Sequence, residues 1–295
     1  MYYQRPVFRN LPAMSVEPIT RRYAGQVADG GMTADITVCL SAGWTDPPHR
    51  LSLGTDEVHV WRALLRQAEP RTDLLRWFLA ADERERAEAY RFRRDREQFI
   101  TARALLRLLL GSYLDCSPDE LRFRYGLYGK PYLIEEQGGG GREILFSVSR
   151  SGGLALFAVT RGKNVGIDVE RVRFDLDYER IADRFFSRKE VTTLRRLPAD
   201  YMRREAFFTC WTRKEAYVKA IGKGLSCSLD RFSVSLMPGE QAALLEAEGD
   251  PGAASRWSLR DIGARSDYAA SLAVEARGRQ LRCFQCPEPG ADGFP

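Results

Sequence analysis

The sequence predicts an α+β fold made of two similar lobes, a pseudo-dimer with a ligand cleft between them. Three observations point there. Both halves of the chain read in the same order: a strand, then helices, then further strands. The pattern is interrupted once near the middle, at Arg161–Asn164, a polar break that serves as a short linker. The chain has 295 residues, 44% of them hydrophobic, enough for two cores of the usual domain size, about 100–150 residues each. The expected division is a largely irregular extension over 1–55, a first lobe over 56–162, a second lobe over 163–287 and a tail over 288–295.

Taken in order, residues 1–55 are rich in Gly, Pro and Thr, with one strand candidate near Ile36–Leu40. EVHVWRA (57–63) alternates apolar and polar residues and reads as a strand. Asp73–Leu114 carries helical spacing around an Arg/Glu-rich stretch. Ser117-Pro118-Asp119-Glu120 matches a capping box with Pro at the first helical position. RFRYGLYGKPYL (122–133) reads as strand and turn. EILFSVS (143–149) and GLALFAVT (153–160) form a hairpin around Arg150–Gly152. Beyond the break come a strand at VGIDVERV (165–172), helices near Tyr178–Phe185 and from Ser187, and a longer helix over about Tyr201–Ile221. Strands follow near 232–236, 256–262, 268–274 and 281–286.

Lys plus Arg is 45 against 40 for Asp plus Glu, a net charge of +5. That suits an anionic ligand or an acidic partner better than a nucleic-acid coat, which needs a dense basic stripe. No apolar run approaches the roughly 18 residues that span a bilayer. The first ten residues lack the charged-then-apolar order of a secretory signal. A cytoplasmic protein without a membrane or nucleic-acid partner is expected. Cys283 and Cys286 form a Cys-x-x-Cys pair with no second pair to complete a zinc site, so reduced thiols are expected. His49 and His59 are the only histidines, which turns attention to carboxylates, lysine and a metal. All six lysines (130, 163, 189, 214, 219, 223) fall in one stretch, while Arg carries the remaining positive charge. Lys is the compact point charge of the two, and the one that can lose its proton.

Several short patterns could carry chemistry. Asp168 and Glu170 lie two apart in a strand and point to one face. They are either an acidic strand end paired with Arg171 or Arg173, or two ligands for a hard, oxygen-seeking cation such as Mg²⁺. Trp211, Glu215 and Lys219 fall along one helical face. Glu215 and Lys219 are either an ordinary helix pair, or a third carboxylate and a cation facing the same site. Ser187-Arg188-Lys189-Glu190 is a second capping box, which makes Glu190 a cap before it is a catalytic group. Gly129-Lys130-Pro131 and Ser149-Arg150-Ser151-Gly152 are turns able to hold phosphate. Arg94, Arg103 and Arg107 read as a solvated basic face.

The run GKP (129–131), FSVSRSG (146–152), VGIDVE (165–170), FFSRKE (185–190) and WTRKEAYVKAIGKGL (211–225) resembles the 4′-phosphopantetheinyl transferases, in their monomeric two-lobed form that activates peptide and polyketide synthases. The resemblance spans about Glu57 to Cys286 and implies an active site between the lobes. It implies that Asp168, Glu170 and Glu215 bind Mg²⁺, for which Mn²⁺ is also suited. Glu215 would be the base and Lys219 the cation on the reacting phosphates. Arg94, Lys130, Pro131, Ser149, Arg150, Asp168 and Lys219 would contact coenzyme A, the substrate. The implied partners are apo acyl or peptidyl carrier proteins, and the implied reaction releases 3′,5′-ADP. Arg150 stands where the family usually has His; it keeps the positive charge and can grip phosphate in a fork. A non-catalytic coenzyme A or carrier-binding module of the same fold is the alternative.

Overall fold

The computed structural model describes residues 43–65, 71–134 and 144–287. Its strands are β1 (Glu57–Leu64), β2 (Phe123–Tyr125), β3 (Pro131–Leu133), β4 (Ile144–Ser151), β5 (Leu154–Arg161), β6 (Val165–Arg171), β7 (Phe232–Val234), β8 (Leu244–Ala247), β9 (Ser258–Asp261), β10 (Tyr268–Val274) and β11 (Gln280–Gln285). Its helices are α1 (Arg71–Leu75), α2 (Ala81–Glu88), α3 (Arg93–Leu114), α4 (Tyr178–Phe185), α5 (Arg188–Arg195), α6 (Asp200–Ile221) and α7 (Ala253–Arg256). The α+β class is as expected. The strand expected near Ile36–Leu40 lies outside the described residues.

The layers run helix, sheet, sheet, helix. The first sheet has the order β11-β1-β5-β4 and the second β6-β10-β9. Alternation along the strands sends one set of side chains to each face. Trp61, Phe146, Phe157 and Val159 face α3, where they meet Leu105, Leu106 and Leu109. Val60, Leu156 and Ala158 face the other way, onto Val165, Ile167, Val169 and Leu272 of the second sheet. The far face of that second sheet packs on α6 through Leu259 and Ala273, with Phe207, Trp211 and Tyr217 among the buried side chains.

Gly166 sets the distance between β6 and α6. A Cβ there would lie 2.0 Å from Ala216 O and 2.4 Å from Ala220 N, so only glycine lets this helix backbone touch this strand.

Three expectations are corrected. β11, expected in the second lobe, pairs in parallel with β1, Val60 opposite Cys283, and so completes the first lobe's sheet. The pairing joins strands more than two hundred residues apart, a relation invisible to local pattern. The described end of the largely irregular extension lies beside that strand. Thr45 bridges to Phe284 in parallel, and Trp44 Nε1 donates to Gly263 O under the Arg62 guanidinium. Ser117–Glu120 is a single turn rather than a helix start. Glu120 accepts the Ser117 N–H, but the chain then dips to bury Leu121 and enters β2. Arg107 is not solvated: it is 1% exposed, and with Arg103 it clasps buried Glu83. Burial alone would raise the Glu83 carboxyl, but the two guanidiniums hold it below the usual range.

Among the described residues no helix is long and apolar enough to cross a membrane. Cys116, Cys210, Cys227, Cys283 and Cys286 take part in no disulfide among the described residues.

Candidate active site between the lobes

β6 is an edge strand of the second sheet, and its outward N–H groups have no strand partner. Buried backbone donors without acceptors are costly. Three serines of β4, alternating along the facing strand, supply the acceptors. Ser147 Oγ takes the N–H of Ile167 at 3.1 Å, Ser149 Oγ that of Val169 at 3.3 Å and Ser151 Oγ that of Arg171 at 3.2 Å. The two strands therefore run in the same direction, joined through side chains instead of a backbone ladder. Tyr268 adds a further tie across the lobes, donating its hydroxyl to Gly152 O at 2.7 Å.

A cavity of about 610 Å³ opens beside this seam. Asp168, Glu170, Glu215 and Lys219 line it from the second lobe, and Lys130, Pro131, Ser149 and Arg150 from the first. Asp168 is 1% exposed. Its Oδ1 accepts from Ser149 Oγ at 2.9 Å and from Lys219 Nζ at 2.7 Å. Its Oδ2 is buried with no hydrogen-bond partner. An orphaned carboxylate oxygen at a buried strand position is expensive unless a cation meets it. Glu170 is half-buried, with Oε2 accepting from Ser151 Oγ at 2.8 Å.

The same-face pairing of Asp168 and Glu170 thus holds, and helix α6 brings Glu215 and Lys219 over that face. Hard oxygen donors and the orphaned Oδ2 fit a cation such as Mg²⁺. Among the described residues, no three acidic, histidine or cysteine side chains stand grouped as a metal site. The fit lies in the donor chemistry and in Oδ2.

Lys130 lines the cavity and also ties backbone together. It is 5% exposed, and its Nζ donates to Val165 O at 3.2 Å and Ala220 O at 3.0 Å. It closes the β6 edge and the C-terminal turn of α6, where carbonyls lack helical partners. Burial lowers its ammonium to about 8. Arg150 donates from Nη2 to Tyr90 Oη at 2.7 Å, with its guanidinium 5.5 Å from the Tyr90 ring centre and 5.8 Å from that of Phe99. Arg94 is exposed on the first turn of α3 and is not among the cavity-lining residues.

Glu190 keeps its capping role and has more to do. Its Oε2 accepts from Ser187 N at 2.8 Å, its Oε1 from Val234 N at 2.8 Å, and it pairs with fully buried Lys214 at 2.8 Å. Lys214, next to Glu215 in sequence, points about 100° away around the helix and is used by the core.

Sequence reasoning missed Tyr90, Phe99, Arg184 and Phe185 as lining residues, and Ser147 and Ser151 as clamps. Only the serines left a signal: a polar residue at every second position of an otherwise apolar hairpin strand.

Two family models match the chain. One, described as the 4′-phosphopantetheinyl transferase superfamily, covers residues 164–273; the other, the 4′-phosphopantetheinyl transferase N-terminal domain, covers 68–161. The 4′-phosphopantetheinyl transferase HetI of Nostoc sp. is 38% identical over 241 residues, 82% of this chain and 97% of that protein. The 4′-phosphopantetheinyl transferase ffp of Bacillus subtilis is 29% identical over 57% of this chain and 71% of its own. The human L-aminoadipate-semialdehyde dehydrogenase-phosphopantetheinyl transferase is 28% identical over 55% of this chain and 56% of its own. The paired domains and the length of the HetI match place this chain among the 4′-phosphopantetheinyl transferases of the two-domain kind, as an enzyme of that family.

Proposed function

We propose that the chain moves the 4′-phosphopantetheine group of coenzyme A onto a serine of an apo acyl or peptidyl carrier protein, with Mg²⁺ and with release of 3′,5′-ADP. The observation that carries this reading is Asp168: a buried carboxylate with one oxygen held by Ser149 and Lys219 and the other orphaned, facing a cavity large enough for a cofactor-sized ligand. Mere binding of coenzyme A has no need of this arrangement.

In the proposed reaction the carrier serine Oγ bonds to the β-phosphorus of coenzyme A. The bond from that phosphorus to the oxygen of the 3′,5′-ADP portion breaks, and its electron pair leaves with that oxygen. Glu215 takes the serine proton at its carboxylate, directly or through one water. Lys219 places positive charge beside Asp168 and toward the phosphates; Arg150, Arg184 and Arg103 add to the positive lining. Asp168, Glu170 and Glu215 would hold Mg²⁺, which would supply charge neutralisation on the pyrophosphate when bound; Mn²⁺ would suit the same oxygens. The rest is positioning and electrostatics. Both lobes of one chain line the cavity, which supports action as a monomer.

Glu215→Gln tests the assignment. It keeps the shape and removes the base, so kcat at saturating coenzyme A and Mg²⁺ should fall by at least roughly 10²-fold, with the melting temperature near that of the parent. A Glu215→Gln enzyme with the parent's kcat would overturn the role given to this residue.

A further inference from the structure

The serine seam does two things at once, and the second bears on chemistry. Ser149 and Ser151 each accept a β6 N–H and donate their own proton to the carboxylate of the residue just before it. Ser149 takes Val169 N–H and gives to Asp168; Ser151 takes Arg171 N–H and gives to Glu170 at 2.8 Å. Ser147 accepts the N–H of Ile167 in the same way, but the residue before Ile167 is Gly166, and no carboxylate is there to be held. One strand thus carries a serine that only joins the lobes and two that also aim an acidic side chain.

We propose that Ser151 is a positioning residue for the reaction: its hydroxyl, fixed in direction by the Arg171 N–H, holds Glu170 Oε2 so that the other carboxylate oxygen is presented to the cation. This rests on the proposed cation site. A hydroxyl that accepts from a fixed backbone donor has fewer directions left for its own proton, so the carboxylate it bonds is oriented as well as neutralised. Groups that orient metal ligands in this way typically change metal affinity or activity 10–100-fold when removed. Ser151 comes from the first lobe and Glu170 from the second. The ligand geometry is thereby coupled to how the lobes sit on each other, and the Tyr268–Gly152 bond at the adjoining turn keeps that seating. Arg171 is exposed, so its N–H can find water when the serine is removed, and the loss falls on Glu170 rather than on the fold.

The test is a Mn²⁺ titration read by electron paramagnetic resonance. It uses the full chain with coenzyme A and no carrier protein, against a coenzyme A blank, with the melting temperature of each variant recorded alongside. Ser151→Ala should weaken Mn²⁺ binding roughly tenfold while melting close to the parent. Ser151→Thr, which keeps the hydroxyl, should restore binding. Ser147→Ala should lower the melting temperature and leave Mn²⁺ affinity unchanged. Parent-like affinity in Ser151→Ala, or equal weakening in Ser147→Ala, would overturn the role of Ser151. A parent that binds no Mn²⁺ beyond the blank, or no more than Asp168→Ala does, would overturn the cation site itself and the serine proposal with it.

Discussion

Replacing Gly166 by Ala should damage the enzyme far more than one methyl group suggests. The new Cβ would stand 2.0 Å from Ala216 O, 2.4 Å from Ala220 N and 3.0 Å from Ala220 Cα. These are backbone atoms of α6, which no rotamer change can move aside. Ordinary van der Waals contact begins near 3.4 Å, so the helix must retreat by roughly 1.4 Å along that direction. Ala216 and Ala220 directly follow Glu215 and Lys219, so the retreat carries both away from Asp168 and Glu170. The 2.7 Å contact between Lys219 Nζ and Asp168 Oδ1 would open. Overpacking of this kind costs about 1–3 kcal/mol, a melting temperature lower by a few degrees in a chain of this size. A misplacement on the order of 1 Å at a reacting site can cost 10²-fold in rate. Phosphopantetheinylation of an apo carrier, followed by intact mass at temperatures well below melting, separates the two effects. The expected result is a modest stability loss with a rate loss of about 10²-fold. A Gly166→Ala enzyme with parental rate and melting temperature would refute the claim that this close approach sets the site.

Two further outcomes follow from buried charge. Glu190→Gln, harmless if Glu190 only caps a helix, removes the partner of buried Lys214; it should cost about 3 kcal/mol or more, read as a fall in melting temperature, with kcat retained in the protein that remains folded. Lys130 loses its proton near pH 8 when folded but only near 10.5 when unfolded. Between these values the unfolded state holds the extra proton, so the stability of the parent relative to Lys130→Met should rise with pH, by up to about 3 kcal/mol; denaturant titrations near both ends of that window would show a flat or falling difference if Lys130 is not desolvated.

What could be read in the sequence was what local periodicity carries. The i, i+2 spacing of Asp168 and Glu170 and the i, i+4 spacing of Glu215 and Lys219 each name a face, and both faces line one cavity. The Ser187–Glu190 box also survives as a cap. What local pattern did not carry shares a cause. Lys130 in a Gly-Lys-Pro turn reads as a surface turn, yet it is buried beside the cavity and bonds carbonyls of β6 and α6, elements 35 and 90 residues away. Arg107 looks solvated until α2 delivers Glu83 to it. β11 joins β1 because the second lobe ends beside the first, a relation with no local mark. No local pattern links Glu190 to Lys214; only the packing of α5 against α6 shows that each makes the other tolerable. The serines of β4 were legible as an alternation, but their partners belong to the other lobe.

The most direct measurement is the intact mass of a purified apo carrier protein incubated with coenzyme A, Mg²⁺ and this enzyme, with and without excess chelator. The account predicts a mass increase of one phosphopantetheine on one serine, 3′,5′-ADP in equal amount, and loss of both with chelator. A full yield of adduct in excess chelator would contradict the cation site, and no adduct on acyl or peptidyl carriers would contradict the proposed reaction.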